Sequence, residues 1–430
     1  MKVLVIGMGY VGTTLSLVLA NEGHQVTGVD IDKQKIECLK NKHLYFYEPG
    51  LEQLLDKHLD NHSISFSTDV QTGIRDNEVI FVCVGTPQSE DGSPDLRYIT
   101  ATANEIGQSM NGYKLIIIKS TVPVGTNEMV SQWVEEAQVT PYPFDVVSNP
   151  EFLREGSALY DSLHPDRIVI GSTNENALQL VKSIFKDLHC PIVETTPRTA
   201  ELIKYVSNSF LATKISFMNE IAKLCDSLGT NVNDIARGVG LDHRIGSHFL
   251  EAGIGYGGSC FPKDIKALLK TGAEQKVPLS ILQSVENVNE QQYMYLMEKM
   301  LNRLGSLTNK SIAVFGLSFK PNTDDVREAP AFFIINYLLS KGVKINIHDP
   351  IVQLERFYSG YDIEQFDTAE LAAAGTDAVI LCTDWPHYMG VDWKSIQTTM
   401  NTPNLYDGRN MLNSKQMTDL GFYYEGVGYK

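Results

Sequence analysis

The chain has 430 residues, more than one hydrophobic core usually supports, so two or three domains are expected. Hydrophobic residues make up 43% of the chain and charged residues 20%, as in an ordinary globular protein. The net charge of -16 argues against general binding to nucleic acids or to anionic membrane surfaces. An anionic small molecule would require basic residues concentrated at one site.

The six cysteines are scattered, with no CxxC pair and no spacing typical of zinc ligands. A disulfide framework or a metal site is therefore not expected. Cys83 and Cys382 lie in apolar, strand-like runs and are predicted to be buried. The first apolar segment begins at once and no run of 18 apolar residues occurs, so we expect no signal peptide, no membrane span and a cytoplasmic location.

The first part of the chain alternates short apolar runs with helical patterns. Residues 2–7 read as a buried parallel strand, and residues 25–29 read as a second one. Further strands are predicted at residues 79–84, 115–118 and 145–147, with helical stretches between them. This alternation predicts a doubly wound α/β domain.

A glycine motif, GMGYVG, follows the first strand and opens a helix. Gly7 permits a tight turn, Gly9 lets the backbone approach a pyrophosphate, and Gly12 lets helix and strand pack closely. Asp30 ends the second strand 18 residues after Gly12, where it can accept hydrogen bonds from a ribose. Its charge would repel a 2′-phosphate, so the motif predicts NAD as the cofactor rather than NADP.

Thr86 and Thr121 each follow a predicted strand. They should lie at the carboxyl edge of the sheet, where ligands bind in open α/β folds. Both are candidates for contacts to cofactor or water, although simple turn formation explains their spacing equally well.

Glu151 and Glu155 lie at a boundary between a loop and a helix, where such acids are often solvated first-turn residues. Lys204 and Asn208 are four residues apart and share one face of a helix within an otherwise apolar stretch. This pair could stabilise an oxyanion, but a lysine extending to solvent and a surface amide would show the same spacing.

Residues 199–228 form one long helical pattern, and further helices extend to about residue 303. Apolar residues on more than one face of the long helix suit a spine between domains or a subunit interface. A surface helix with a single buried stripe remains the alternative.

Cys260 lies in the motif GGSCFPKD at residues 257–264. A thiol needs a nearby positive charge or a helix N-terminus to become a thiolate, and Lys263 and a helix opening after Pro262 could supply both. Asp264, one turn further on, could reach the same reacting atom. Together with the dinucleotide motif, the cysteine suggests an oxidation through a covalent acyl-enzyme.

The early pattern returns after residue 309. Residues 311–316, 341–349 and 378–383 match residues 2–7, 22–30 and 78–83 in the same order. The second copy lacks the GxGxxG motif, so a second Rossmann-like domain that does not bind a dinucleotide in the usual way is predicted. The expected architecture is α/β, with two doubly wound Rossmann-like domains at residues 1–196 and 306–430. A long central helix and a helical dimerisation region at residues 197–305 join them.

The combined motifs resemble those of the nucleotide-sugar dehydrogenases, the UDP-glucose/GDP-mannose dehydrogenase family. The resemblance spans nearly the whole chain, and it rests on segments 7–12, 47–50, 85–87, 119–123, 149–156, 204 with 208, 240–246, 255–264, 319–320 and 324–327. It implies a two-step oxidation of a sugar C6 alcohol to an acid, with consumption of NAD. UDP-glucose is the expected substrate, and GDP-mannose or a UDP-N-acetylhexosamine is the alternative.

By this resemblance Cys260 is the nucleophile that captures the aldehyde. Lys204 and Asn208 would hold the oxyanion, and Asp264, Thr121 and Glu151 would order water and move protons. The implied cofactor contacts are Gly7, Gly9, Tyr10, Val11, Gly12, Asp30, Lys35, Thr86, Thr121, Glu155, Lys263 and Arg327. The implied substrate contacts are Glu151, Phe152, Leu153, Arg154, Lys204, Asn208, Arg244, Tyr256, Gly257 and Lys320. Arg244 is expected to reach the substrate of a partner subunit, because the central helices form a homodimer in this family.

Overall fold

The computed structural model describes residues 1–89, 91–354 and 362–429. Two compact units divide the chain. The first comprises Met1–Ser207 and Lys266–Thr271, and the second comprises Asn208–Ile265 and Gly272–Lys430. Each unit is built around one largely parallel sheet.

The described residues of the first unit form an eight-stranded sheet in the order β3-β2-β1-β4-β5-β6-β7-β8. Neighbouring strands are parallel except β6 and β7, which pair antiparallel. The strands are β1 (Lys2–Ile6), β2 (Gln25–Val29), β3 (Ile64–Ser67), β4 (Val79–Val82), β5 (Lys114–Ile118), β6 (Phe144–Ser148), β7 (Ile168–Gly171) and β8 (Ile192–Thr195). The helices are α1 (Tyr10–Asn21), α2 (Lys33–Lys40), α3 (Leu51–Asp60), α4 (Val70–Asp76), α5 (Arg97–Ser109), α6 (Thr126–Ala137), α7 (Ala158–Leu163) and α8 (Glu175–Ile184).

This first sheet is apolar on both faces. Alternate residues of β1 enter two separate hydrophobic clusters, Val3 and Val5 on one face and Leu4 and Ile6 on the other. A strand covered by helices on both faces needs an unbroken apolar run rather than an alternating one, which is what residues 3–6 supply. The turn after β1 is thereby held at the carboxyl edge of the sheet.

The second unit contains a six-stranded parallel sheet in the order β11-β10-β9-β12-β13-β14 within the described residues. Its strands are β9 (Ser311–Phe315), β10 (Lys344–His348), β11 (Ile363–Gln365), β12 (Ala378–Leu381), β13 (Asn404–Asp407) and β14 (Tyr423–Gly426). Its other helices are α10 (Val232–Gly240), α12 (Ser280–Leu304), α13 (Pro330–Ser340), α14 (Ala369–Ala373), α15 (Trp393–Thr399) and α16 (Ser414–Asp419), with a short 3-10 helix at Pro386–Met389. Two helices, α9 (Pro197–Leu228) and α11 (Phe261–Glu274), contribute residues to both units.

Helix α9 has an unusual distribution of side chains. Its buried residues include six polar ones, namely Glu201, Lys204, Asn208, Ser209, Ser216 and Asn219, beside the apolar residues Ala200, Tyr205, Ala212, Met218, Ala222 and Cys225. Its exposed face carries a stripe of apolar residues, namely Leu202, Val206, Phe210, Phe217, Leu224 and Leu228. Large apolar side chains usually face a core, so this helix differs from a surface helix with a single buried apolar stripe.

The predicted fold class is confirmed. Each strand predicted from the sequence is present with its ends shifted by at most three residues, and the long helix begins at Pro197. The short strands β3, β7, β8, β11, β13 and β14 were not foreseen, nor was the antiparallel pairing of β7. Cys83 and Cys382 are buried as predicted, and all six cysteines are free thiols. In the described parts of the chain, no helix combines the length and apolar character that a membrane span requires.

Candidate active site

The glycine turn after β1 has the geometry that a dinucleotide requires. Gly7 adopts φ +96°, and its backbone N donates to the oxygen of Val29 at 2.8 Å. A Cβ on Gly12 would lie 1.9 Å from the oxygen of Gly7, so only glycine allows α1 to start this close to the strand. A Cβ on Gly9 would have no atom within 4 Å, which leaves open space beside the start of α1 for a pyrophosphate. The three glycines therefore fit the predicted cofactor.

Asp30 follows β2 and is partly exposed. Its two carboxylate oxygens accept hydrogen bonds from the backbone N of Met8, at 2.7 Å, and of Asp32, at 2.9 Å. A carboxylate has about four acceptor sites, so capacity remains for the hydroxyls of a ribose. On the adjoining helix α2, the ammonium of Lys35 lies 5.7 Å from the centre of the Tyr45 ring.

Thr86 and Thr121 are brought together, as their positions after adjacent strands predict. The hydroxyl of Thr86 donates to the backbone oxygen of Thr121 at 2.8 Å. Ser120 donates to the backbone oxygen of Val84 at 2.7 Å, which joins the same two turns a second time. These bonds fix the backbone on which the Thr121 hydroxyl is mounted.

Glu151 forms a buried ion pair with Lys204. The Lys204 ammonium donates to Glu151 Oε1 at 2.8 Å, and both side chains are less than a tenth exposed. The backbone N of Leu153 donates to the other oxygen at 2.6 Å. Burial by itself would raise the pKa of Glu151. The charge and hydrogen bond of Lys204, the backbone N–H of Leu153 and the charge of Lys119 together outweigh burial and hold this pKa below its ordinary value. Glu151 is therefore held in the carboxylate form.

Lys119 is a second ammonium close to Glu151, and sequence reasoning assigned it no role. It follows directly on β5 and donates to Asn149 Oδ1 at 3.2 Å and to the Pro150 oxygen at 3.4 Å. Burial lowers its pKa to about 8, although the charge of Glu151 acts in the opposite direction. The available signal was a lysine at the end of an otherwise apolar strand.

Glu201 is another buried ionisable residue that sequence reasoning missed. Its carboxylate accepts hydrogen bonds from the backbone N of Gly125 at 2.7 Å and of Asn127 at 2.8 Å, at the start of α6. Burial raises its pKa to about 7. Glu201, Thr121 and Lys204 are among the residues lining a cavity of about 10 Å³, the size of one water molecule. A glutamate three residues before Lys204 in an apolar helix was the sequence signal.

The segment that follows Glu151 is held by contacts at its surface. The guanidinium of Arg167 lies 3.8 Å from the centre of the Phe152 ring, which fixes that side chain. Arg154 forms an ion pair with Asp161 at 2.6 Å, and more than half of the arginine side chain is exposed. Gly156, with φ +79°, closes the segment immediately after Glu155.

In the second unit, Cys260 directly precedes α11. Its backbone oxygen accepts from the N of Asp264 at 2.9 Å, so it completes the first turn of that helix. The Cys260 Sγ lies 3.6 Å from the Ser259 hydroxyl. The helix begins at Phe261, before Pro262 rather than after it as predicted. Proline is tolerated there because the first-turn N–H groups have no partner within the helix. The predicted helix N-terminus thus does lie at the thiol.

Asp264 is fully enclosed, with 1% of its surface exposed. Its carboxylate accepts from Asn208 Nδ2 at 2.7 Å and from the Lys263 ammonium at 2.8 Å. Asn208 and Asp264, which the sequence did not pair, are therefore in direct contact. Lys263 was expected to place its charge beside the thiol, and in the structure it forms an ion pair with Asp264.

The glycine loop before Cys260 packs tightly against residues 319–328. A Cβ on Gly257 would lie 2.1 Å from the oxygen of Glu328, and a Cβ on Gly258 would lie 2.7 Å from the Phe319 ring. The Gly258 N donates to the Arg327 oxygen at 2.8 Å. These contacts exclude side chains at both glycines and bring the segments of Cys260, Phe319 and Arg327 together.

The remaining basic candidates lie at the surface of the second unit. Arg244 and Arg327 are each more than half exposed and pair with a nearby aspartate, Asp242 and Asp325 respectively. Lys320 has its ammonium 5.7 Å from the centre of the neighbouring Phe319 ring. Tyr256 donates its backbone N to Asn289 Oδ1 at 2.8 Å.

Comparison with known proteins identifies the family. Three family models of the UDP-glucose/GDP-mannose dehydrogenases match: the NAD binding domain over residues 1–189, the central domain over 198–291 and the UDP binding domain over 313–414. The chain is 43% identical to UDP-glucose 6-dehydrogenase TuaD of Bacillus subtilis (strain 168), covering 99% of this chain and 93% of that protein.

Two solved structures extend the match. A UDP-glucose dehydrogenase from Pyrobaculum islandicum gives a TM-score of 0.93 at 38% identity, over 100% of this chain and 98% of the other. A UDP-D-ManNAc dehydrogenase from Pyrococcus horikoshii gives a TM-score of 0.89 at 28% identity, over 100% and 99%. The chain is thus an NAD-dependent oxidoreductase that belongs to the UDP-glucose/GDP-mannose dehydrogenase family.

Proposed function

We propose that this chain oxidises UDP-glucose at C6 to UDP-glucuronate, in a four-electron reaction with a covalent intermediate on Cys260. The observation that carries the proposal is the position of Cys260 at the start of α11, one turn before a buried Asp264 held by Asn208 and Lys263. A helix N-terminus favours the thiolate, which is the nucleophilic form of cysteine. A thiol at such a position, in a family of dehydrogenases, suits the capture of an aldehyde.

The reaction consists of two oxidations followed by a hydrolysis. The C6 alcohol loses a proton and a hydride and becomes an aldehyde, to whose carbon the Cys260 thiolate adds. The resulting thiohemiacetal loses its hydroxyl proton and a second hydride and becomes a thioester. Water then attacks the thioester carbon and breaks the C–S bond, which gives the carboxylate and restores the thiol. Bound NAD supplies the hydride acceptor for each oxidation.

Residues of α9 and its neighbours stabilise charge in these steps. Lys204 and Asn208, one turn apart on α9, donate to the oxyanion formed when the thiolate or water adds to the carbonyl carbon. Glu151 is a carboxylate because Lys204 holds its pKa low, and it accepts protons released by the alcohol and by water. Thr121, on its fixed turn, orients the water, together with Asp264.

Binding roles follow from the family resemblance, supported by the positions described above. The cofactor contacts are Gly7, Gly9, Tyr10, Val11, Gly12, Asp30, Lys35, Thr86, Thr121, Glu155, Lys263 and Arg327. The nucleotide-sugar contacts are Glu151, Phe152, Leu153, Arg154, Lys204, Asn208, Tyr256, Gly257 and Lys320. Residues 1–196 then act as the cofactor domain, 197–305 as the central helical domain and 306–430 as the nucleotide-sugar domain.

The protein acts as a homodimer in this proposal, through the exposed apolar stripe of α9. Phe210 is 65% exposed, Phe217 56% and Leu228 65%, and burial of such side chains against a second copy is favourable by about 25 cal/mol per Å². Arg244 would then act on the nucleotide sugar bound by the partner subunit. We also propose a cytoplasmic location, which the six free thiols favour.

The dimer is tested by sedimentation of Phe217→Glu. A charge in the centre of the stripe should yield monomers at micromolar concentration. Leu371→Glu is the matched control, since Leu371 is also 56% exposed but lies on α14. A monomeric unaltered protein, or a Phe217→Glu variant that stays dimeric, would contradict the interface.

A second candidate keeps the chemistry and changes the sugar to GDP-mannose or a UDP-N-acetylhexosamine. The likeness to a UDP-D-ManNAc dehydrogenase is the observation that favours it, although the identity is 28% against 43% for the relative named for UDP-glucose. A comparison of kcat/KM for the three nucleotide sugars decides between them.

The function is tested by the end-point yield of NADH per UDP-glucose, with NAD in excess and the sugar limiting. Two NADH per sugar are expected, and one would mean that the reaction stops at a two-electron product. No NADH would direct the search to the other nucleotide sugars. Cys260→Ser should abolish acid formation, whereas Cys190→Ser, at another partly exposed cysteine, should retain it.

A further inference from the structure

Glu48 lies at the centre of a group of hydrogen bonds between the glycine turn and the end of the 151–156 segment. Tyr10, the first residue of α1, donates its hydroxyl to Glu48 Oε2. The backbone N of Gly156 lies 2.7 Å from the same oxygen and 2.8 Å from the Tyr10 hydroxyl. The backbone N of Leu159 donates to Glu48 Oε1 at 3.3 Å. Three separated segments thus meet at one carboxylate.

The Glu48 carboxylate is buried and depends on these hydrogen bonds. Glu48 is 5% exposed, and a buried carboxylate is very unfavourable unless hydrogen bonds replace its water. Burial, followed by the hydrogen bond to Glu48, raises the pKa of Tyr10 well above its ordinary value, so the phenol keeps the proton it donates. The rings of Tyr10 and Phe46 are 4.7 Å apart, which holds the segment of Glu48 against α1.

The group of hydrogen bonds joins the turn that faces the cofactor to the segment that carries Glu151 and Glu155. Tyr10 belongs to the turn whose backbone faces the cofactor pyrophosphate. Gly156 ends the segment that carries Glu151 and Glu155, and Gly156 has φ +79°, a conformation that fixes the course of the chain there. A hydrogen-bonded network of this kind can transmit a displacement from one segment to the other.

We propose that Glu48 is a positioning residue through which bound cofactor and bound nucleotide sugar each increase the affinity for the other. The inference rests on the proposed function, because it takes residues 151–156 as part of the nucleotide-sugar site. Ordering the Tyr10–Glu48–Gly156 contact for one ligand lowers the entropy cost of ordering it for the other. Because binding free energies are linked, the cofactor must increase the affinity for the sugar by the same factor as the sugar increases the affinity for the cofactor.

The test uses NADH and UDP-glucose, which bind together without reacting. The Kd of NADH is measured by fluorescence titration with and without saturating UDP-glucose. For the unaltered protein we expect the sugar to lower this Kd about fivefold or more. In Glu48→Gln an amide NH₂ replaces one acceptor oxygen and faces an N–H or O–H donor, which weakens the group of hydrogen bonds, so the factor should fall. Glu52→Gln, at an exposed glutamate four residues on, should keep the full factor.

Tyr10→Phe carries the test if Glu48→Gln fails to fold, because it removes one hydroxyl and leaves the Gly156 bond to Glu48. The factor should again fall. An unchanged factor in Tyr10→Phe and in any folded Glu48→Gln would overturn the inference, as would a factor of one in the unaltered protein. If two NADH form per UDP-glucose and the factor is still one, only the role of Glu48 is wrong. If UDP-glucose neither binds nor reacts, the proposed function is overturned too.

Discussion

The two sheets contain the same turn in equivalent places. Gly7 and Gly316 each follow the central strand with φ near +90°, and each donates its N to the last residue of the neighbouring strand, Val29 or His348. An aspartate comes next in both, Asp30 and Asp349. The identical backbone arrangement shows that the repeat read from the sequence is a repeat of structure.

The turns differ in what surrounds them. Asp30 is partly exposed and accepts two backbone N–H bonds, whereas Asp349 is 5% exposed and accepts four, from Leu317, Ser318, Ile351 and Val352. The acceptor sites of Asp349 are thus occupied by backbone N–H groups, whereas Asp30 retains acceptor sites for a ligand.

The space beside the turns differs as well. Gly9 faces open space, but the turn after β9 is filled by buried side chains, with Trp385 donating to Ser318 Oγ at 3.1 Å and Thr383 donating to the Ser318 oxygen. The same backbone turn therefore borders open space in one sheet and is filled as core in the other. The side chains decide which.

The largest effect is expected for Gly12→Ala. The added Cβ would lie 1.9 Å from the Gly7 oxygen, and backbone cannot yield as a flexible side chain does. The free energy of unfolding should fall by about 3 kcal/mol, with loss of NAD binding. Denaturant titration and NAD titration measure both.

Gly9→Ala is the matched control, because its Cβ meets no atom within 4 Å. It should change stability by less than about 0.5 kcal/mol yet weaken NAD binding. Equal stability of the two variants would contradict the role given to Gly12.

Asp349→Asn should have the next largest effect. Each carboxylate oxygen accepts from two backbone N–H groups, so two of them would face an amide NH₂ instead of an acceptor, and each unsatisfied buried donor costs about 1–3 kcal/mol. The free energy of unfolding should fall by that amount without a change in NAD affinity. A weakened NAD affinity would mean that the second turn contributes to cofactor binding after all.

Asp30→Ala should affect binding more than stability. Loss of the ribose acceptor should raise the Kd of NAD about tenfold, and loss of the charge should reduce the preference for NAD over NADP. Binding titrations with both cofactors measure this. Equal use of the two cofactors by the unaltered protein would refute the role of Asp30.

The smallest effect is expected for the pH dependence of the free energy of unfolding that His348 causes. His348 is equivalent in position to Val29 of the first sheet. Burial, followed by the charge of His387, lowers the pKa of His348 below its ordinary value of 6.5. The unfolded chain then binds a proton that the folded chain does not, so stability is full above pH 6.5 and is lost as the pH falls below it.

The slope from one such proton is at most about 1.4 kcal/mol per pH unit. Unfolding titrations between pH 7 and 5 should show a shallower loss for His348→Gln than for the unaltered protein. A parallel loss in both would exclude His348 as the source.

Sequence patterns identified those elements whose signals are local. The apolar run of residues 3–6, the three glycines of the turn and Asp30 predicted the first sheet and its cofactor turn, and the repeat after residue 309 predicted the second sheet. Strands β3, β7, β8, β11, β13 and β14 were missed because runs of three or four residues carry too little periodicity to separate strand from loop. The Cys260 motif likewise placed the thiol at a helix start, with an error of two residues.

The sequence by itself determined the two sheets, the cofactor turn and the candidate nucleophile, because each depends on residues close together in the chain. Tertiary structure alone decided the burial and the hydrogen-bond partners of Glu48, Lys119 and Glu201. Glu48 meets Gly156 across 108 residues, and Glu201 meets Gly125 across 76. An ionisable side chain reads as solvated until its burial is known, and burial is set by packing between distant segments. The hydrogen bonds that make such a charge tolerable are therefore visible only in the folded chain.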